Sequence, residues 1–284
     1  MNTLRLIELK FSLIATKDFK SIGFMGNKIR GAIRHSMYLL HCNKNEIGCK
    51  KCNHYKDCVY GDLFKNPGKT SEFSAFPSPF VINVPFRLKE IIKEEEKLEF
   101  SIIIFGDAIK WWKQVALSVI FIFKNSSGIF NNSFKLENIY SVYNKKLIYD
   151  GKVFLDEPYI TVWTDDVVSQ KDDEIIMVIQ LLSPVIIKGE KEFEPDFTMF
   201  MDEVFHRIAS IIDMYENNEF AVPYGLLNRK PKIQTELIRQ NGSVCGIIFK
   251  GNYNRYLPYI DLASCLHIGK KGTYGYGSFE YKLI

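Results

Sequence analysis

The chain has 284 residues, 46% hydrophobic and 25% charged, enough for one large domain or two of about 100–150 residues each. No apolar run approaches the roughly 18 residues of a membrane span, and the opening MNTLRLIELKFSLIAT alternates in polarity where a signal peptide would be continuously apolar, so a cytoplasmic location is expected. The net charge of +4 conceals an asymmetry: residues 1–70 carry 13 Lys/Arg against 5 Asp/Glu, residues 150–203 carry 4 against 14, and residues 204–284 carry 10 against 6. Two basic ends flanking an acidic middle would draw a polyanion to the ends; the alternative is solvated charge without a partner.

Taken in chain order, LRLIELKFSLIA (4–15) reads as a strand and GNKIRGAIRHSMYLLHC (26–42) as a helix, with Ile29, Ile33, Met37 and Leu40 at helical spacing. Residues 43–78 read as a long irregular segment. Strands are expected at 78–86 and 97–106, then a helix over 107–125 with Asp107 as its N-cap, then β structure over 132–155. Around TDDVVSQKDDE (164–174) the composition turns polar and acidic, which places a domain boundary there. The pattern restarts with a strand at 174–187, a helix at 196–215, a hairpin over 231–251 turning at Asn241-Gly242, a helix at 252–269 and a last strand at 276–284.

Each half thus runs strand, helix, strand pair, helix, strand, the βαββαβ order of a ferredoxin-like domain. The halves also echo each other. Gly106 to Phe134 spans 28 residues, and so does Gly251 to Phe279, each stretch leading from a strand through Gly and a helix to a Ser-Phe strand. Equal spacing of this kind implies duplication of one unit. The expected fold is α+β: two tandem ferredoxin-like (βαββαβ, RRM-like) domains, 1–165 and 172–284, the first carrying a cysteine-rich insertion at 42–65.

Three stretches could carry chemistry. On a helical wheel of residues 26–40, the apolar face is Ile29, Ala32, Ile33, Ser36, Met37 and Leu40, while Arg30, Arg34, His35 and Tyr38 face the other way. The lead-in Met25-Gly26-Asn27-Lys28 offers backbone N–H groups beside a helix N-terminus, a natural anion position. His35 can move a proton near neutral pH, with Tyr38 and Arg30 or Arg34 to position a phosphate; the competing reading is an ordinary exposed helix histidine. By contrast His206, in DEVFHR, reads as an isolated helix residue.

Cys42, Cys49, Cys52 and Cys58 form the second stretch. Four thiolates at this spacing suit a structural zinc or an iron–sulfur cluster, with His41 and His54 as spare ligands; two disulfides or free thiols are the alternative. A four-thiolate site leaves no open position for water, so it would be structural and not hydrolytic. Cys245 and Cys265 read as core residues.

The third stretch is the terminal IGKKGTYGYGSFEYKLI, where Gly269, Gly272, Gly275 and Gly277 interleave with Lys270, Lys271, Tyr274 and Tyr276. It has the form of neither a Walker A loop nor a dinucleotide fingerprint. Cations and stacking planes beside glycine backbone suit single-stranded RNA; a plain turn before the last strand is the other reading. The equivalent segment of the first half, KNSSGIFNNSFKL (124–136), has one glycine, which suggests that the fold itself does not require four and that the terminal copy approaches RNA closely.

The order of these pieces resembles the RAMP superfamily of CRISPR-associated proteins, most closely the repeat-specific endoribonucleases that process precursor CRISPR RNA. The pieces are GNKIRGAIR, a four-cysteine loop ending CVYGDLF, a strand region with PSPFVI, and the terminal GKKGTYGYGSF. The resemblance covers nearly the whole chain. It implies tandem ferredoxin-like domains, RNA contact by the terminal glycine-rich loop, and metal-independent cleavage leaving a 2′,3′-cyclic phosphate and a 5′-hydroxyl. It also implies a catalytic histidine in or near the first helix, which falls on His35, with a tyrosine and a lysine whose candidates are Tyr38 and Lys28. The expected partners are CRISPR repeat or guide RNA and other CRISPR-associated subunits, with no membrane, and the chain acting as monomer or homodimer. Cleavage would need no cofactor. A non-catalytic subunit holding guide RNA in an interference complex would use the same motifs, and a cysteine-cluster regulator that binds nucleic acid is a further alternative.

Overall fold

The computed structural model describes residues 2–21, 23–42, 49, 52, 58–64, 77–86, 88–125, 130, 132–166, 174–187, 193–216, 220 and 232–284. Most of the cysteine-rich segment, His54, part of the first-half loop around Gly128 and residues 167–173 at the expected domain boundary lie outside the described residues. The chain divides into two compact units, Arg5–Thr161 and Met1–Leu4 with Val162–Ile284.

In the first unit, β1 (Thr3–Ala15), β2 (Phe19–Lys20), α1 (Met25–His41), α2 (Val59–Phe64), β3 (Phe80–Asn83), β4 (Ile91–Ile92) and β5 (Lys97–Phe105) are followed by a 3-10 turn (Gly106–Trp111), then α3 (Trp112–Lys124), β6 (Phe134–Ser141) and β7 (Lys146–Tyr149). The sheet order is β3-β5-β1-β6-β7. Taking the four strands of the repeat alone, the second strand is next to the third, the third to the first and the first to the fourth. That is the ferredoxin-like order.

Strand period two sorts β1 into two faces. Leu9, Phe11 and Leu13 are fully buried, and Phe11 stacks on Phe100 of β5 at 5.0 Å. Glu8, Lys10 and Ser12 alternate with them. On that side the Lys10 ammonium pairs with Glu99 at 2.7 Å, the Ser12 hydroxyl donates to Glu99 at 3.0 Å, and the Ser101 hydroxyl donates to Glu8 at 2.5 Å. Helix α1 buries Met25, Ile29, Ile33, Ser36 and Met37. It is fastened to α3 by the Ser36 hydroxyl, which donates to the Ser118 carbonyl at 3.1 Å.

Three local expectations are corrected. Leu40 is 39% exposed, so the apolar stripe of α1 stops at Met37. Asp107 does not cap α3; residues 106–111 wind as a 3-10 turn first, and the Asp107 carboxylate accepts from Arg5 Nη2 at 2.8 Å. Within the segment read as irregular, VYGDLF forms the short helix α2. It buries Val59, Tyr60 and Leu63, and the Trp111 indole donates to Asp62 at 2.8 Å.

The second unit contains β8 (Thr161–Thr164), β9 (Ile175–Leu181), α4 (Phe197–Tyr215), β10 (Gln234–Gln240), β11 (Ser243–Gly251), a 3-10 turn (Asn254–Tyr256), α5 (Leu257–Leu266) and β12 (Phe279–Leu283). Its sheet order, β10-β11-β9-β12, is again ferredoxin-like. Asp196 caps α4 by accepting from the Met199 N–H at 2.8 Å. Asn241 and Gly242 both have positive φ (51° and 82°), the requirement of a tight two-residue hairpin turn. Asn2 belongs to this unit through its backbone and side-chain nitrogens, which donate to Asp165 at 2.8 and 2.6 Å. The echo between halves is visible in the elements: β5 is followed by, and β11 ends at, a positive-φ glycine, Gly106 or Gly251, and each strand leads on to a 3-10 turn, an α-helix and a strand.

Candidate functional site

Two regions, one in each unit, carry the expected site residues. In the first unit His35 and Arg34 lie exposed on α1, while Lys28, Arg30 and Tyr38 are half-buried. Much of this polar face is occupied by α2. Arg34 Nε donates to the Tyr60 hydroxyl at 3.2 Å. The Arg30 guanidinium lies over the Phe64 ring at 5.5 Å. Tyr38 meets Tyr60 edge to face at 5.4 Å. Burial, then the nearby Cys42, Tyr60 and Cys49, pushes the Tyr38 hydroxyl above its ordinary pKa. The helix brings His35 and Tyr38 together at i, i+3, whereas Lys28 sits about 10 Å from His35 along the axis. Met25 to Lys28 form the first turn of α1 and not a loop before it.

Cys42, Cys49, Cys52 and Cys58 form no disulfide and are all half-buried. The Cys52 N–H donates to the Cys49 carbonyl at 3.3 Å. Among the described residues no three His, Cys, Asp or Glu side chains gather closely enough to hold a metal ion. The donor set has the chemistry of a zinc or iron–sulfur site. Cys245 and Cys265 are likewise half-buried and not fully in the core.

In the second unit the glycine-rich run is a compact strap. Lys270 N–H donates to the Ile186 carbonyl at 2.7 Å, Gly277 N–H to the Pro184 carbonyl at 2.9 Å, and Ile268 N–H to the Gly277 carbonyl at 3.0 Å. Tyr274 and Gly275 N–H groups close turns inside the loop, onto Lys271 and Gly272, at 2.8 Å each. These donors are therefore spent on the fold. The glycines are needed by it too, which corrects the inference drawn from the first-half loop. Gly269 and Gly277 have φ of 68° and 74°, and a Cβ at either would lie 2.7 Å from the Ile186 carbonyl oxygen or 1.8 Å from that of Ile268. What the loop presents outward is Lys270 and Lys271, both exposed, with Tyr274 and Tyr276 half-buried. The Lys271 ammonium stands 6.0 Å from the centre of the Tyr276 ring.

Helix α4 adds residues beside this loop that sequence reasoning missed. His206 is not isolated: Glu203, one turn before it, interacts with both His206 and Lys270, while burial raises the Glu203 pKa. Beneath the loop lie Arg207, 9% exposed, and His267, fully buried. Arg207 Nε donates to the Leu266 carbonyl at 3.1 Å. Burial, then Arg207, drives the His267 imidazole down to about 3, so it is neutral at physiological pH. Backbone groups of Gly272 and Tyr276 face its ring, but neither ring nitrogen makes a well-formed hydrogen bond among the described residues. His267 adopts φ 61°, ψ 151°, a conformation otherwise reserved for glycine. One signal was legible: Phe200, Val204, Arg207 and Ile211 share one face of α4, so an arginine stands in an apolar stripe.

Comparison with known proteins accords with this architecture. Residues 4–159 match the family model AF_1859_N, described as an N-terminal domain, and residues 179–279 match the model for the CRISPR-associated endoribonuclease Cas6. No curated protein shows significant sequence similarity. Among solved structures, a chain of a partial Cas6-RT-Cas1–Cas2 complex superposes with a TM-score of 0.62 at 12% identity, over 99% of this chain and 46% of that one. This chain therefore spans less than half the length of that relative. A Cas6 product complex superposes with a TM-score of 0.56 at 10% identity, over 98% of this chain and 100% of that one. The first model covers over half of the chain, which therefore belongs to the AF_1859_N family, and its second half is similar to the CRISPR-associated endoribonuclease Cas6.

Proposed function

We propose that the protein is an endoribonuclease that recognises CRISPR repeat RNA and cuts it without a metal ion. The observation that carries this reading is an exposed histidine, His35, on the first helix of a Cas6-like tandem ferredoxin fold whose other unit presents two exposed lysines. In the proposed reaction a base removes the proton of a 2′-hydroxyl. The freed oxygen bonds to the adjacent phosphorus as the bond to the 5′-oxygen breaks. That oxygen takes up a proton, leaving a 2′,3′-cyclic phosphate and a 5′-hydroxyl. His35 is the group assigned to proton transfer. Tyr38, three residues on, is assigned a hydrogen bond to the phosphate, and Lys28 a contact to a neighbouring phosphate two helical turns away. Lys270 and Lys271 supply electrostatic attachment.

The test is cleavage of labelled repeat RNA in EDTA by wild type and His35→Ala. One specific product from the wild type and none from the variant is expected; a wild type silent in EDTA but active with a divalent ion overturns the metal-free mechanism.

A second reading is a non-catalytic subunit that holds guide RNA alongside other CRISPR-associated subunits. It is favoured by the engagement of Arg30, Arg34 and Tyr38 with α2, which leaves few groups beside His35 for chemistry. Tight RNA binding without cleavage by any preparation would select it. The four cysteines are assigned a structural zinc ion or iron–sulfur cluster that pins the insertion to the first unit. The ion would draw the thiolates together and take no part in cleavage.

A further inference from the structure

Arg207 is an unusual residue to find under a surface loop. It lies on the core side of α4 and is 9% exposed. Its Nε donates to the Leu266 carbonyl, at the point where α5 ends and the glycine-rich loop begins. Among the described residues its Nη2 has no acceptor, and none of the ion pairs includes it. A buried charge without a counter-charge is costly, because its lost hydration is not replaced. Burial lowers its pKa to about 10, and at neutral pH it remains a cation. Of the titratable rings around it, Tyr215 favours the charged form, while His267 is neutral there and offers no compensation.

The glycine-rich loop meets this cation at Gly272, which is itself buried. Gly272 passes so close that an added Cβ would lie 3.0 Å from Arg207 Nη2. With no side chain in between, the positive field of the guanidinium reaches the loop surface through low-dielectric material, where it is screened least. Lys270 and Lys271 flank that point from outside. Glu203 draws on Lys270 and on His206, one turn away along α4. The fold thus sets positive charge on both sides of one glycine, with Glu203 beside Lys270, and among the described residues the inner charge has no carboxylate partner.

We infer that Arg207 is a positioning residue for RNA. It completes, from beneath Gly272, a phosphate-attracting site on the outer surface of the glycine-rich loop, and an RNA phosphate docked there is its missing counter-charge. This rests on the RNA-binding reading above and adds the residue, in a different element, that makes the loop selective for an anion. Gly272 is glycine for a steric reason, without the positive φ of Gly269 and Gly277: its Cβ would meet Arg207 Nη2 at 3.0 Å and the His267 Cβ at 3.4 Å.

The experiment measures binding of labelled repeat RNA across a salt series in a His35→Ala background, so that no cleavage intervenes. Arg207→Met, Arg207→Lys and Arg207→Gln are compared with that parent. The methionine variant is expected to lose about tenfold in affinity, with the slope of log affinity against log salt shallower by about one phosphate. Its melting temperature should hold or rise, since an apolar side chain of similar length replaces an uncompensated buried charge. Lysine should recover part of both quantities. A parent that does not bind the RNA overturns the reading and the inference together. A parent that binds, with a methionine variant of equal affinity and slope, overturns the inference alone. So does an affinity loss that follows a lowered melting temperature and leaves the slope unchanged, because that is a purely structural role. Should the methionine variant not fold, Arg207→Gln decides, since it removes the charge and keeps a donor for the Leu266 carbonyl: reduced affinity and slope in a folded protein support the inference, and unchanged affinity overturns it.

Discussion

Gly277 lies against the carbonyl of Ile268 so closely that a Cβ at 277 would stand 1.8 Å from that oxygen. The two residues close the base of the glycine-rich loop, with the Ile268 N–H donating to the Gly277 carbonyl at 3.0 Å. The loop therefore owes its shape to contacts inside the second unit.

Gly277→Ala should accordingly destabilise the protein by about 3 kcal/mol, since the clash is with backbone that cannot swing aside. Gly242→Ala is the control. Gly242 also has positive φ, at 82°, but nothing lies within 4 Å of its missing Cβ, so only the conformational cost of about 1 kcal/mol should remain. Denaturant unfolding of the two variants measures the difference.

His267 predicts an acid limb in the stability curve. Its folded pKa, about 3, lies below its unfolded value near 6.5. Between these values the unfolded chain binds the proton and the folded chain does not. Stability present above pH 6.5 is thus lost as pH falls toward 3, at about 1.4 kcal/mol per pH unit from this group. His267→Gln should flatten that limb; an unchanged slope in denaturant titrations between pH 6.5 and 4 would contradict the assignment.

Glu8 acts with the opposite sign. Burial raises its pKa, outweighing the Ser101 hydrogen bond and the Lys10 charge. A carboxyl whose folded pKa is raised favours the fold when protonated and weakens it once ionised. Glu8→Gln, which keeps an acceptor for Ser101, should therefore be more stable than wild type at pH 7. The gain should vanish below the unfolded pKa of about 4.3, as measured by the urea midpoint at both pH values.

The exposed lysines of the loop should act through RNA phosphates alone. Lys270→Ala with Lys271→Ala is expected to weaken repeat-RNA binding and reduce the salt slope by about two, with little change in melting temperature. His35→Ala should do the reverse, preserving affinity while lowering the cleavage rate by about 10²–10⁴.

For the cysteine insertion, metal analysis of protein purified without chelator is expected to give about one zinc ion or one cluster per chain. Cys49→Ser with Cys52→Ser should remove it and lower stability, while the cleavage rate of the remaining folded protein stays the same.

The sequence by itself determined the two ferredoxin-like units. Their strands and helices are set by local periodicity, as in the alternation of Leu9, Phe11 and Leu13 with Glu8, Lys10 and Ser12, and by short-range signals such as Asp196 at the start of α4 and Asn241-Gly242 in the hairpin. Such patterns require only neighbours in the chain. It also singled out His35, because a polar face of one helix is a local property. What packs onto that face is not local, and there the tertiary structure decided. VYGDLF became a helix that occupies Arg30, Arg34 and Tyr38, through contacts between residues some 26 positions apart. The glycines of the terminal loop were legible as a motif, but their purpose depends on Ile186 and Ile268, whose carbonyls come within van der Waals reach only after folding. Arg207 and His267, 60 residues apart in the chain, meet beneath that loop because α4 and α5 pack on one sheet. Burial then turns an ordinary arginine and histidine into a lone cation and a neutral ring.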